Sequence, residues 1–132
     1  MDIFFTDPSE IPLPPEDVRI QDLKVEPYPD KRRIRVLLEL TPFLKKPHGD
    51  IFVKNSLGDL VSTASFVEAV TSKIEMTLHL REQNPGGPYT ATAVLFYTYE
   101  VEDEVQGDRV LLRPEKQVVD SFEVPFSIQT ND

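Results

Sequence analysis

Residues 73–99, KIEMTLHLREQNPGGPYTATAVLFYTY, decide the fold class of this chain of 132 residues. Apolar residues occupy positions 74, 76, 78 and 80, and polar residues stand between them. A period of two predicts a strand with one buried side and one solvent-facing side. The segment 84–88, NPGGP, then interrupts regular structure, and alternation resumes from Tyr89. The stretch therefore predicts two β-strands joined by a tight corner.

Similar alternation recurs along the rest of the chain, separated by turn residues. We predict strands over residues 18–26, 33–41, 50–56, 60–66, 73–81, 89–100 and 117–128, with a bulge near Gln21 and Asp22. The only candidate for a helix, residues 66–72, is too short to be stable alone. The pattern predicts an all-β protein, an antiparallel sandwich of seven or eight strands in two sheets.

The segment 85–97, PGGPYTATAVLFY, resembles the E–F corner and strand F of immunoglobulin-like and fibronectin type III-like sandwiches. In those folds a tyrosine opens strand F and its hydroxyl bonds back to upstream backbone. Tyr89 matches that position, and Gly86 and Gly87 supply a corner that tolerates positive φ. Ala91 stands where antibody domains place a cysteine, and tryptophan is absent. The resemblance implies an immunoglobulin-like sandwich without cysteines.

We divide the chain into three parts, the first of which is marked by prolines. Four of them, at positions 8, 12, 14 and 15, lie in residues 1–17, which lack any periodicity. Proline restricts φ and disfavours helix in the residue before it, so we predict an extended N-terminal arm over 1–17. The sandwich domain follows over 18–128, with a short tail at 129–132.

Composition limits the partners that we expect. The net charge is −9, which argues against nucleic acid and anionic membranes because both attract positive surfaces. No apolar run approaches the roughly 18 residues of a membrane helix. The first residues do not form a basic, apolar signal, and cysteine is absent. These features predict a cytoplasmic protein.

No arrangement of residues predicts catalysis. The only histidines, His48 and His79, lie in a loop and on the outward side of a strand, and no serine has a nucleophile-elbow context. We therefore predict no enzyme activity, no cofactor and no metal site. One alternative stays open: the acidic residues around Glu100–Asp108 favour a protruding hairpin that turns at Gly107, but such carboxylates also suit Ca²⁺.

Apolar residues on the outward side of strands provide the clearest indication of function. Val94, Phe96 and Val119, on two strands expected to be neighbours, predict an exposed patch, which either the N-terminal arm or a second protein would cover. The candidate interface residues are Phe4, Phe5, Leu37, Val94, Phe96 and Val119. We expect a non-catalytic module that binds protein, including a second copy of itself. The alternative is an accessory domain that binds a small ligand or carbohydrate.

Overall fold

A computed structural model describes residues 11–129, with the backbone alone for residues 103–106. The described chain forms seven strands and one short 3-10 turn, Pro15–Asp17. The strands are β1 Ile20–Pro27, β2 Arg33–Leu40, β3 His48–Asn55, β4 Leu60–Phe66, β5 Lys73–His79, β6 Gly87–Gln106 and β7 Arg109–Ile128. No helix within residues 11–129 has the length and apolar character needed to cross a membrane.

The strands form two antiparallel sheets. One sheet has three strands in the order β1-β2-β5, and the other has four in the order β4-β3-β6-β7. The prediction of an all-β protein with two antiparallel sheets is confirmed. The corner at residues 80–86 therefore carries the chain from one sheet to the other, because β5 pairs with β2 and β6 pairs with β3.

The core lies between the sheets and follows the alternation in the sequence. In β2 every second residue from Ile34 to Leu40 is buried, and in β6 Tyr89, Ala91, Ala93 and Leu95 are buried. Removing a large apolar side chain from water contributes about 1.5–3 kcal/mol, so these rows hold the two sheets together.

The edges of the two sheets are also joined by a side-chain hydrogen bond. The backbone N–H of Ile20 in β1 donates to Oδ2 of Asp120 in β7 at 2.9 Å. The second carboxylate oxygen of Asp120 accepts from the backbone N–H of Ser121 at 2.9 Å. One carboxylate therefore links β1 to β7 where the sandwich would otherwise be open.

Bulges change which side chains face the core. The predicted bulge in β1 is confirmed, since the pairing with β2 shifts between Ile20 and Asp22. In β7 the pairing shifts as well, because Leu95 lies opposite Asp120 and Phe96 lies opposite Val118. Val119 is thus an extra residue without an opposite partner. An inserted residue reverses the alternation beyond it.

Candidate functional site

The last two strands continue beyond the sandwich as a two-stranded ribbon. Within the described residues, β3 pairs with β6 as far as His48 opposite Phe96, and past that point β6 pairs with β7 alone. We call residues 98–106 and 109–116 the projecting ribbon. At about 3.4 Å per residue it extends roughly 30 Å. Gln106 pairs with Arg109, and Gly107 has a φ of 65°, so the predicted hairpin and its turn are confirmed.

Several segments meet at the base of this ribbon. The hydroxyl of Tyr97 donates to the carbonyl of Lys45 at 2.7 Å, and the backbone N–H of Ala69 donates to the carbonyl of Pro47 at 2.9 Å. These bonds tie the ribbon to the loop after β2 and that loop to the loop after β4. The resulting region, the hairpin end, comprises residues 11–19, 41–47 and 67–72 and the projecting ribbon.

Exposed apolar side chains are concentrated at the hairpin end. Among the described residues, eleven large apolar side chains are more than 40% exposed, and only Leu57 and Leu60 lie at the opposite end. Eight lie at the hairpin end: Ile11, Leu44, Val67, Val70, Tyr99, Val110, Leu111 and Leu112. The remaining one, Val118, follows the ribbon on β7. Concentrated exposed apolar area is unusual on a monomer and marks interaction surfaces.

The projecting ribbon presents apolar groups on both of its faces. By strand alternation, Tyr99 lies on the side continuous with the buried Tyr97, and Glu102 lies on the other side. Leu112 is opposite Glu102 and is 56% exposed, whereas its neighbour Leu111 points to the other face and is 41% exposed. A two-stranded ribbon without a covered face is marginally stable in water. Its stability would increase if another surface packed against it.

At the foot of the ribbon, Phe96 is covered by side chains of its own sheet. The Nζ atom of Lys116 lies 4.1 Å from the ring centroid of Phe96 and 3.2 Å from Oδ2 of Asp50. The ring of His48 lies 5.5 Å from the Phe96 ring on another side. Only 9% of Phe96 stays exposed. The cation, the imidazole and the carboxylate thus close over an aromatic ring on the outer face of the sheet.

His48 also supports the loop after β4. Its Nδ1 atom accepts a hydrogen bond from the backbone N–H of Glu68 at 3.1 Å, and its Nε2 atom lies 3.4 Å from the hydroxyl of Thr98. Glu68 has a φ of 49°, in the left-handed region that costs a residue other than glycine about 1–2 kcal/mol. The hydrogen bond to His48 offsets part of that cost and holds the loop in one shape.

A separate polar network stabilises the corner at the opposite end. The hydroxyl of Tyr89 donates to Oε1 of Glu82 at 2.6 Å and accepts from the backbone N–H of Gly86 at 2.9 Å. Oε2 of Glu82 accepts from the amide of Asn55 at 3.0 Å. Burial, followed by the bond to Glu82, raises the pKa of Tyr89 to about 12. Gly87 has a φ of 88°, as expected for a corner glycine.

The predicted interface residues lie in different parts of the chain. Leu37 lies in the three-stranded sheet, whereas Val94 and Phe96 lie in the other. Phe4 and Phe5 are outside the described residues.

The placement of Val119 beside Val94 and Phe96 is wrong. Val119 is half-buried and packs against the core, and Val118 lies opposite Phe96 instead with 54% of its surface exposed. The cause is the bulge in β7, which shifts the alternation by one residue. Nothing in the apolar pattern of residues 117–128 locates that bulge.

Sequence reasoning missed the apolar residues of the loops. Leu44, Val67 and Val70 are 70%, 75% and 77% exposed. Each is a single apolar residue among turn residues, a pattern that does not distinguish an exposed position from one covered by a neighbouring strand. An unusual number of valines in the short segment 67–70 is the one signal that could have found them.

The described side chains form no group of three or more histidine, aspartate or glutamate residues placed to hold a metal ion. His79 is exposed on β5, in a different sheet from His48. The calcium alternative involves Asp103 and Glu104, whose side chains lie outside the described set, and it stays a prediction.

Comparison with known proteins assigns no family. The chain matches no protein-family model, and no curated protein shows significant sequence similarity to it. Its function must therefore be argued from its own surface.

Proposed function

We propose that this protein is a non-catalytic β-sandwich module that binds another protein through its hairpin end. The observation that carries the proposal is the concentration of eight exposed large apolar side chains in that region. Leu44, Val67 and Val70 each leave at least 70% of their surface in water. At about 25 cal/mol per Å², covering such surface is favourable, and a protein partner offers enough area to do so.

The chemistry of the ribbon favours binding by its faces over the addition of a strand to its edge. Pro114 lies in β7, the outer strand of the ribbon, and proline cannot donate a backbone hydrogen bond to an added strand. On β6, Glu100 and Glu102 are exposed and would repel an acidic strand. A partner is therefore expected to pack on side chains such as Leu111 and Leu112.

The outer face around Phe96 is a weaker candidate for this binding. Phe96 is 9% exposed because Lys116 and His48 lie over it, and Val94 is half-buried. Self-association through this face would require Lys116 to move away. The hairpin end needs no such rearrangement.

The proposal is tested by comparing two double variants with equal chemistry at opposite ends. L111S/L112S removes apolar groups from the ribbon, and L57S/L60S removes exposed leucines from the other end. Each chain is immobilised and exposed to lysate of its native cell, and retained proteins are identified and rebound in purified form. We expect a partner that binds the wild type and L57S/L60S but is retained at least tenfold less by L111S/L112S. Equal retention by all three chains would overturn the proposal.

We also propose that the sandwich is of the immunoglobulin-like, fibronectin type III-like kind. Its support is the order β1-β2-β5 against β4-β3-β6-β7, together with the hydroxyl of Tyr89, which accepts from upstream backbone at Gly86. Magnetic-resonance contacts between β2 and β5 and between β3 and β6 test this topology. Contacts between β5 and β6 as a continuous hairpin would contradict it.

The alternative of a carbohydrate-binding domain has no observation in its favour among the described residues. Sugar sites use exposed aromatic faces, and Tyr89 and Tyr97 are buried while Tyr28 lies beneath the guanidinium of Arg33. Tyr99 is the one tyrosine of the described chain that is largely exposed, at 46%. A glycan array with purified protein measures this directly.

A further inference from the structure

The hairpin end carries two different apolar surfaces, one toward each edge of the four-stranded sheet. The first is the projecting ribbon with Leu111 and Leu112. The second is the loop after β4, where Val67 and Val70 line a shallow cavity of about 310 Å³ together with Phe66. β4 and β7 are the two edge strands of the four-stranded sheet. They are about 14 Å apart at the usual spacing of strands, with β3 and β6 between them, so the two surfaces lie toward opposite edges of the sheet.

The loop surface is preformed. The backbone N–H groups of Glu68 and Ala69 are held by Nδ1 of His48 and the carbonyl of Pro47, at 3.1 and 2.9 Å. These bonds keep Glu68 at its left-handed φ of 49° and leave Val67 and Val70 exposed on either side. A surface held in its binding shape pays less conformational entropy when it is covered.

Opposite charges lie on the ribbon and on the loop after β2, which borders the surface formed by the loop after β4, where Glu68 is itself acidic and exposed. Glu100 and Glu102 are exposed on the β6 strand of the ribbon. Lys45 and Lys46 are exposed on the loop after β2, beside Leu44 and close to the loop after β4. A ribbon that lies across the loops of another copy can place its acidic strand near these lysines. Such pairing orients a complex more than it strengthens it.

The area available favours a reciprocal arrangement. One face of the ribbon measures roughly 30 by 10 Å, or about 300 Å², from standard strand dimensions. We call the loop surface with Val67 and Val70 the socket. A single ribbon that packs on a single socket would bury about 600 Å², below the 1,200–2,000 Å² of stable interfaces. Two ribbons and two sockets related by a two-fold axis would bury about 1,200 Å². A second copy of the chain supplies both missing surfaces at once.

We propose that two copies of this chain associate about a two-fold axis by exchanging their projecting ribbons, so that the ribbon face with Leu112, Glu100 and Glu102 of each copy packs on Val67 and Val70 of the other. This inference rests on the proposed function and identifies its partner as a second copy.

The absence of cysteine makes a cross-linking test clean. Three full-length single variants, L112C, V70C and L57C, are purified; L112C is mixed with V70C or with L57C at equal concentration and oxidised mildly. We expect the mixed L112C–V70C disulfide to form at least tenfold more than the mixed disulfide of L112C with L57C, whose cysteine lies at the other end. Sedimentation of the wild type should give a dimer mass at micromolar concentration, and L111S/L112S should shift it to the monomer.

Two results would overturn ribbon exchange. One is a monomer mass for the wild type up to about 100 μM, together with no preference for the V70C partner. The other is a predominant L112C–L112C disulfide, which would mean ribbon-on-ribbon packing. In either case, a different protein that binds the wild type and not L111S/L112S would leave the hairpin end as a binding surface. Loss of that discrimination as well would end both proposals.

Discussion

The ammonium of Lys116 lies 4.1 Å from the ring centroid of Phe96 and covers the outer face of a residue whose position in the strand predicts exposure. Lys116 also bonds Oδ2 of Asp50 at 3.2 Å, so one side chain joins β7 to β3 across β6. This contact closes the foot of the projecting ribbon. It also explains why an aromatic residue on the outer face remains only 9% exposed.

The first prediction concerns this cover. K116A should lower the free energy of unfolding by about 1 kcal/mol, because it removes a cation–π contact and uncovers Phe96. K116M keeps an apolar side chain over the ring without the charge, and it should lower the free energy of unfolding by about half as much. Urea unfolding at neutral pH measures both. If K116A and K116M are as stable as the wild type, the contact contributes nothing and Phe96 is held by other neighbours.

The second prediction concerns Gly49, which lies opposite Phe66 in the β3–β4 pair. A Cβ atom at position 49 would overlap the Phe66 ring, so G49A should lower the free energy of unfolding by about 1–3 kcal/mol. In the F66A background, G49A should lower the free energy of unfolding much less, because the ring is gone. A double-mutant cycle by urea unfolding measures the difference. Equal costs in the two backgrounds would contradict the close approach.

The third prediction concerns pH and Tyr89. Its pKa is raised to about 12 by burial and by the bond to Glu82, whereas an unfolded tyrosine ionises near pH 10. The folded state therefore keeps the phenol protonated to a higher pH than the unfolded state does. The stability that this group contributes is fully present below about pH 10 and is lost as the pH rises to about 12.

The variant Y89F removes this titration. It should lower stability by about 1–2 kcal/mol at pH 8, since Gly86 and Glu82 lose their partner. Between pH 10 and 12 its stability should decline less steeply than that of the wild type. Burial also raises the pKa of Tyr97, which remains in both chains and cancels in the comparison. Parallel declines in denaturant unfolding at several pH values would contradict the raised pKa of Tyr89.

The fourth prediction concerns the loop that His48 holds. H48F keeps an aromatic ring beside Phe96 but removes the acceptor for the N–H of Glu68. We expect the amide protons of Glu68 and Ala69 to exchange with solvent at least fivefold faster, while those of β2 are unchanged. H79F, on the exposed side of β5, is the matched control and should change neither. Unchanged exchange in H48F would mean that the loop keeps its shape without His48.

Prediction from the sequence succeeds where local alternation and corner chemistry agree. The inward rows of β2 and β6 follow from residue spacing, because a period of two places alternate side chains on one face. The hydrogen bond between Tyr89 and Gly86 is the one that the resemblance to a tyrosine corner implies. The predicted ends of the strands are less accurate. β6 runs to Gln106, well beyond the predicted end at Glu100, because pairing with β7 continues after the core ends.

Alternation along the chain and the glycine corner are enough to predict two antiparallel sheets, most of the core and the hairpin, since the period of the apolar residues and the turn residues can be read within short segments. The surface that carries the proposed function depends on distant segments. A single extra residue at Val119 moves Val118 to the outside, and Lys116 covers Phe96 only because β7 returns beside β6. Leu44, Val67 and Val70 gather at one end only because their loops connect strands of two facing sheets. Tertiary pairing thus decides which apolar side chains remain in water.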